Sequence, residues 1–535
     1  MTQWNFADVW ETVAAVLPDR PAQKCGERTV LWRDFDQRAN ALAADLLAAG
    51  LSHQSKVAAY LYNGVEYFEL YWAAFKAGLV PVNTNYRYGP EEVAYLFDNA
   101  DAEAVVFHAS MAPLLGQIRD RLPKVARWYV VDDGSPTPPW AIPYEAVVTA
   151  GADRVMAPWG RSDDDIVMLY TGGTTGMPKG VMWRQGDLWM VVGGGGNPVV
   201  GIPPATDLPE LRERLEAAAG SPQVTLMPAC PLMHGTGMFS SLLVLNGGGC
   251  VVTLPDRSFN PARLWQTAKD EQASAVVIVG DAFAQPMLAE LDAHPGAYDL
   301  SSLLAIISSG VMWSREVKAG LSKHLPSTIM YDGLGSSEAV GLATSVSGGS
   351  QAAGTADFQI AESAKVFTDD DREVQPGSGE MGRLAIHGYL PIGYYKDPEK
   401  SARTFRTIDG VRYSIPGDYA TVGADGTVHL LGRGSVVINT GGEKVFPEEV
   451  EEVLKLHPGV RDAVCVGVPD ERFGEVICAL VEPADGATVD PDHVIEHVRA
   501  RLARYKAPRI VLTVPTIGRS PAGKVDYKGL RDLAL

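Results

Sequence analysis

The residues that could do chemistry begin in the stretch YTGGTTGMPKGVMW, Tyr170 to Trp183. Thr171, Gly172, Gly173, Thr174, Thr175 and Gly176 make a run of small residues, and Lys179 follows shortly after. Glycine lets backbone N–H groups close on an anion, and threonine adds hydroxyl donors, so the composition points to phosphate. The spacing is not that of a Walker loop, in which the lysine directly follows a glycine and a metal-binding hydroxyl follows the lysine. Here Met177 and Pro178 stand between Gly176 and Lys179, and Gly180 comes next. Proline fixes φ and lacks an N–H, so this loop does not run smoothly into a helix N-terminus. A plain glycine turn is the alternative reading; three threonines and a lysine argue against it.

Further stretches with polar or glycine-rich character follow in order: PLMHGTGM (231–238), SSGVMWS (308–314), YDGLGSSEA (331–339), YSIPGDYA (413–420), GRGSVVINTGGEKVFPEEVE (432–451) and RSPAGKVDY (519–527). Other chemistries find little support. Cys25, Cys230, Cys250, Cys465 and Cys478 are scattered, with no C-x-x-C spacing, which points to neither a disulfide framework nor a zinc site and fits a reducing cytoplasm. A net charge of −19 with no long basic run argues against nucleic acid as a partner.

These stretches need elements to hold them. With 535 residues the chain exceeds one core, so two or more domains are expected. The apolar run IVMLY reads as a buried strand delivering the first loop. KVAAYLY, VEYFELYWAAFKAG, LVPVN, EEVAYLFDNA and AEAVVFH alternate strand and helix patterns, as do GCVVTLP, PARLWQTAKDEQ, ASAVVIVG and LLAIISSG further on. That alternation predicts parallel sheets covered by helices on both faces. From about Gly382 the pieces become shorter and strand-rich, predicting an antiparallel, β-barrel-like subdomain. From about Gly432 a β, β, α rhythm predicts a small α+β domain. The N-terminus, MTQWNFADVWETVAAVLPDRP, reads as an amphipathic helix rather than a signal peptide. Pro228 to Pro255 has no Asp, Glu, Lys or Arg, but prolines and glycines break it into a helix, GMFSSLLVLN, and a strand, CVVTLP. It offers no uninterrupted apolar span of ~20 residues, so no integral membrane segment is expected. Asn197 to Pro222 reads as a surface excursion with one short helix.

The seven stretches, in this order and over essentially the whole chain, resemble the adenylate-forming (AMP-binding) superfamily. Within it, YTGGTTGMPKGVMWRQ and INTGGEKVFPEEVEE resemble the actinobacterial fatty-acid and steroid-side-chain acyl-CoA synthetases. The resemblance implies an N-terminal domain over 1–431, a small mobile C-terminal domain over 432–535 and a hinge at 433–436. It implies a two-step reaction: a carboxylate attacks the α-phosphorus of Mg-ATP to give acyl-adenylate and pyrophosphate, and a CoA thiol then displaces AMP.

By the same resemblance, Thr171 to Gly176 wrap the β- and γ-phosphates, with Lys179 adding charge. Glu338 holds Mg²⁺, a hard cation suited to a carboxylate. Gly310, Val311, Asp332, Gly333, Leu334, Gly335, Ser336 and Ser337 line the nucleotide site. Leu334 stands where relatives usually carry an aromatic, and Ser337 where they carry threonine; Val311 also reads as ordinary core. Asp418 takes the ribose hydroxyls, and Arg433 contacts ribose or phosphate. Lys524 bridges carboxylate and α-phosphate. His234 gates the acyl pocket and thiol approach, and Gly441, Gly442 and Lys444 line the pantetheine tunnel. Trp183 and Trp189, near the run Gly193–Gly196, suit an aromatic wall with backbone leaving room for a large acid; a glycine loop is the alternative.

The implied partners are ATP with Mg²⁺, CoA and a hydrophobic carboxylic acid, a fatty acid or a steroid side-chain acid. A homodimer is left open. The competing readings are an acyl-AMP ligase loading a carrier protein, an aryl-CoA ligase and a non-catalytic nucleotide-binding protein.

Overall fold

Ile166–Thr171, the run that delivers the threonine- and glycine-rich loop, is a strand buried from Val167 to Tyr170. It belongs to an eight-stranded sheet ordered Gly393–Tyr394, Lys179–Arg184, Ile166–Thr171, Val80–Asn83, Lys56–Tyr60, Ala102–His108, Arg127–Val131, Ile142–Pro143. Ile166–Thr171 and the strands from Val80–Asn83 onward run parallel. Lys179–Arg184 turns back antiparallel, and Gly393–Tyr394 pairs antiparallel to it at the edge.

The structure, a computed structural model, describes residues 3–171, 177–197, 201–311, 313–348, 357–433, 437–440, 443–470, 473–502, 504–520 and 525–535, except the side chains of residues 357, 433, 439, 443, 444 and 474. It divides into two compact units: 1–341 with 346–352 and 387–406, and 342–345 with 353–386 and 407–535.

The first unit holds a second sheet, ordered Arg28–Leu31, Pro21–Cys25, Cys250–Thr253, Thr225–Pro228, Ala275–Ile278, Ala305–Ser309, Ile329–Ser336. From Pro21–Cys25 to Ile329–Ser336 its pairings are parallel. The strand–helix alternation therefore does what it predicts. Helix Val65–Lys76 is buried on every face. Its Trp72 and Phe75 pack with Trp10 and Phe35 in a core that takes Ala22, Val30 and Val251 from one sheet and Val57, Ala59 and Val167 from the other. The charges on so buried a helix need partners. Glu69 accepts from Arg38 and from the Tyr144 hydroxyl, and Lys76 pairs with Glu11 and Asp36. The uncharged stretch after Pro228 forms helix Gly235–Asn246 and strand Cys250–Thr253, as its pattern predicts. Among the described residues no helix is long and apolar enough to cross a membrane.

The second unit contains the strand-rich stretch: Asp357–Ile360, Thr427–Arg433, Asp418–Val422 and Met381–His387 pair antiparallel in that order, with Ala364–Phe367 beside the last. It also contains a five-stranded sheet built on the long hairpin Val460–Asp470 and Gly474–Pro483. Side chains alternate across that hairpin: Ala463 and Cys465 join one core with Val450, Leu454 and Val494, while Val464, Val466 and Val468 join another with Leu530.

Candidate active site

Most of the first unit's candidate residues gather at the C-terminal ends of its parallel strands, where open α/β sheets hold ligands. Thr171 ends one strand and Lys179 begins the next, and the two are Cα partners across the hairpin. Gly180 is a sheet residue: a Cβ there would lie 2.8 Å from Tyr170 Cε2 and 2.9 Å from Met168 Sδ, so the side chains of the neighbouring strand occupy the space over it. Lys179 Nζ is 3.0 Å from Asp397 Oδ2. That contact raises the lysine's pKa above its ordinary value. Asp397 is held low, first by the Lys400 N–H it accepts at the start of helix Pro398–Thr404, then by Lys179. Gly172, Gly173, Thr174, Thr175 and Gly176 lie outside the described residues.

Two asparagines, Asn83 buried and Asn63 half-buried, hold the base of this region, and sequence reasoning missed them. The Asn83 amide donates to Tyr170 O at 2.9 Å and to Met233 O at 2.6 Å, while its oxygen accepts from Tyr170 N at 2.6 Å. Asn63 donates to Cys230 O at 3.1 Å and accepts from Leu232 N at 2.8 Å. Asn83 ends the strand Val80–Asn83 and Asn63 follows the strand Lys56–Tyr60 by three residues, and an asparagine at or just past the loop end of a parallel strand is the signal that would have flagged them. Together they fix the segment leading to His234, the half-buried residue that precedes helix Gly235–Asn246.

The Ser337–Glu338 turn faces that helix start: a Cβ on Gly235 would lie 3.4 Å from Ser337 Oγ. Two side chains brace the turn. Trp183 Nε1 donates to Ser337 O at 3.0 Å, and the Tyr394 hydroxyl donates to Glu338 Oε1 at 2.7 Å. Trp183 and Tyr394 sit on paired strands, with Tyr394 opposite Val181. Trp183 is thus wholly buried behind the turn rather than part of an acid-facing wall, because its ring joins the core and its N–H is engaged with the backbone. The room beside Gly193–Gly196 is also taken. A Cβ on Gly194 would lie 2.7 Å from Pro204 Cβ, and one on Gly195 would lie 3.1 Å from Trp189 Cη2. Trp189 itself stacks on Trp4 at 4.7 Å. The chain after the glycines fills the space that composition alone left open.

Gly310, with φ of 90°, ends the strand Ala305–Ser309 close to the helix start; a Cβ there would lie 3.6 Å from Thr236 Oγ1. Gly333 is the Cα partner of Ser309, and Asp332 of Ser308. Leu334, Gly335 and Ser336 continue that strand toward Glu338, whose N–H donates to Ser336 Oγ at 3.3 Å. Val311 packs against the core of the second sheet, the ordinary role its sequence also allows. The Asp332 carboxylate is engaged with Lys318 Nζ at 2.8 Å in the interior, so its side chain ties helix Arg315–His324 to the strand. Burial pushes Asp332 upward, and Lys318 opposes the shift.

In the second unit, Asp418 and Arg433 are Cα partners at the end of an antiparallel pair. That register brings together two residues the sequence separates by more than a dozen positions. Gly434, Ser435, Gly441, Gly442 and Lys524 lie outside the described residues, as do the side chains of Arg433 and Lys444. Burial pushes the thiols of Cys230 and Cys250 up to about 12, so they stay protonated and supply no nucleophile near neutral pH. Among the described residues no three His, Cys, Asp or Glu are grouped to hold a metal.

Residues 10–395 match the family described as AMP-binding enzyme, and residues 449–524 match the AMP-binding enzyme C-terminal domain. A relative from Mycolicibacterium smegmatis, named a medium/long-chain-fatty-acid–CoA/3-oxocholest-4-en-26-oate–CoA ligase, is 40% identical over 99% of this chain and 96% of its own. A 3-oxocholest-4-en-26-oate–CoA ligase from Rhodococcus rhodochrous is 41% identical over 99% of this chain and 95% of its own. Among solved structures, the anthranilate CoA ligase AuaEII in complex with anthranoyl-AMP has a TM-score of 0.84 at 20% identity, covering 100% of this chain and 98% of its own, a likeness of fold.

Proposed function

This chain belongs to the AMP-binding enzyme family, and from that premise we propose that it is an acyl-CoA synthetase acting on a hydrophobic carboxylic acid. The observation that carries the reading is the end-to-end match, at about 40% identity, with relatives named as CoA ligases. A carboxylate oxygen attacks the α-phosphorus of ATP, the bond to the pyrophosphate oxygen breaks, and an acyl-adenylate forms. The sulfur of CoA then attacks the acyl carbonyl, the thiol proton is lost, and AMP leaves.

Both steps gather negative charge, so fixed cationic and dipolar groups carry much of the rate enhancement. Thr171 to Gly176 and Lys179 hold the departing pyrophosphate. Glu338, fixed by Tyr394, is the carboxylate for the Mg²⁺ that arrives with ATP. One or two carboxylates plus phosphate oxygens and water suit that ion, and Glu338 would supply such a carboxylate. Bound there, Mg²⁺ neutralises phosphate charge. Gly310, Gly333 and Leu334 border the base, Asp418 and Arg433 the ribose, and Lys524 the carboxylate and α-phosphate. The small domain over 432–535 turns about 433–436 between steps, exchanging Lys524 for the Gly441–Lys444 loop that receives pantetheine.

The names of the two relatives support medium- and long-chain fatty acids and 3-oxocholest-4-en-26-oate as the first acids to supply. The free cysteines, four of them buried and Cys25 half-buried, support a cytoplasmic location. A panel of fatty, steroid side-chain and aryl acids, scored by CoA-dependent AMP release, tests the reading. Turnover with a fatty or steroid acid is expected. AMP release with aryl acids alone would overturn the substrate class, and none with any acid would overturn the activity.

A further inference from the structure

Asp397 divides its two carboxylate oxygens between two tasks. Oδ1 accepts the Lys400 N–H at 3.0 Å and caps helix Pro398–Thr404, while Oδ2 meets Lys179 Nζ at 3.0 Å. The cap accounts for an Asp, Asn, Ser or Thr at this position, but not for a negative charge. The backbone already fixes where Asp397 stands. Gly393–Tyr394 pairs with Lys179–Arg184, Tyr395 N donates to Gly180 O at 2.8 Å, and Tyr395 OH and Lys396 Nζ both reach Asp101 at 2.7 Å. The segment is secured without the ion pair. Lys400 adds a weaker pull on the carboxylate, and the ion pair Oδ2 makes is with Lys179, a side chain one-third exposed at the foot of the loop.

We propose that Asp397 is the resting counter-ion of Lys179, displaced when the phosphates of ATP take the lysine and restored when pyrophosphate leaves. The proposal rests on reading Lys179 as a pyrophosphate ligand. Without the Asp397 charge, and with only the neutral Tyr95 hydroxyl beside it, the ammonium would bind pyrophosphate more tightly and release it more slowly. With Asp397 in place, binding exchanges one anion for another, so the net gain is smaller. An ion pair this exposed is worth little in water, which keeps the exchange easy in both directions.

Asp397→Asn is the informative change, because Asn keeps an oxygen for the cap and cannot offer Lys179 a charge. Asp397→Ser, another cap former without charge, is the second variant. Both are titrated with Mg-pyrophosphate by calorimetry and assayed for ATP dependence. The expected result is roughly two- to fivefold tighter pyrophosphate binding, the range an exposed ion pair supports, with a parallel fall in KM for ATP and unchanged KM for acid and CoA. Weaker or unchanged binding in both variants overturns the proposal, as does a wild-type chain that binds no pyrophosphate. A wild-type chain that binds pyrophosphate but forms no acyl-adenylate with any acid sinks the ligase reading instead, while the titration still decides the role of Asp397.

Discussion

Two of the first unit's lysine–aspartate pairs are of nearly equal length and different consequence. Lys318 and Asp332 are 2.8 Å apart with side chains 4% and 6% exposed, whereas Lys179 and Asp397 are 3.0 Å apart with side chains 33% and 20% exposed. Each pair contains one residue from a stretch the sequence marks as chemical, Asp332 in YDGLGSSEA and Lys179 beside the glycine-rich loop. Burial separates them. Removing either partner of the inner pair strands a charge away from water. Removing either partner of the outer pair leaves the other to be solvated, so that pair can open and close. Membership in a motif therefore does not reveal whether a charged side chain is a strut or an exchangeable contact.

Lys318→Met is the strongest way to break this contrast. It leaves the Asp332 carboxylate buried without its ammonium and should cost roughly 3–5 kcal/mol in chemical denaturation. Burial already pushes Asp332 upward, and loss of Lys318 removes the opposing pull. A carboxyl whose folded pKa exceeds its unfolded one binds more protons in the fold, so stability falls as pH rises between the two. The deficit should therefore be larger at pH 8 than at pH 5. A small, pH-independent deficit would show that the inner pair is no strut.

Tyr394→Phe probes a contact of intermediate worth. The variant keeps the buried ring and loses the hydroxyl that holds Glu338. A hydrogen bond to a charged group contributes about 1.5 kcal/mol at the low end, which caps the effect of losing this orienting contact, so the half-saturating Mg²⁺ in ATP–pyrophosphate exchange should rise by up to about tenfold. An unchanged magnesium dependence would remove this contact from the metal site. The smallest effect is expected for Asp397→Asn on folding: under about 1 kcal/mol, because the pair is exposed and the cap persists. A loss as large as that of Lys318→Met would erase the distinction between the pairs.

Elements whose signal is local were legible in the sequence. Val80–Asn83, Ala102–His108, Ile166–Thr171 and Cys250–Thr253 are short apolar runs between turn residues, and Gly235–Asn246 lies between glycines that punctuate an uncharged stretch. The strand that ends at Thr171 was legible for the same reason, and it pairs Thr171 with Lys179. The braces were not. Trp183 finds Ser337 across 154 positions, Asn83 finds Met233 across 150, and Tyr394 finds Glu338 across 56. Each side chain has an ordinary reading by itself, and only the folded sheet selects its partner. Gly193–Gly196 shows the same limit in reverse: glycine announces close approach, and the fold decides that Pro204 and Trp189, rather than a ligand, approach.

The central claim is that one carboxylic acid is activated by adenylation and passed to CoA. The most direct measurement is the product balance of the purified full-length chain with Mg-ATP and an accepted acid, taken first without CoA and then after CoA is added. The account predicts acyl-adenylate and pyrophosphate in equal amounts, no more than one per active site, before CoA. After CoA it predicts AMP, pyrophosphate and acyl-CoA accumulating one for one. ADP and inorganic phosphate in their place, or acyl-adenylate that CoA leaves unconverted, would contradict it.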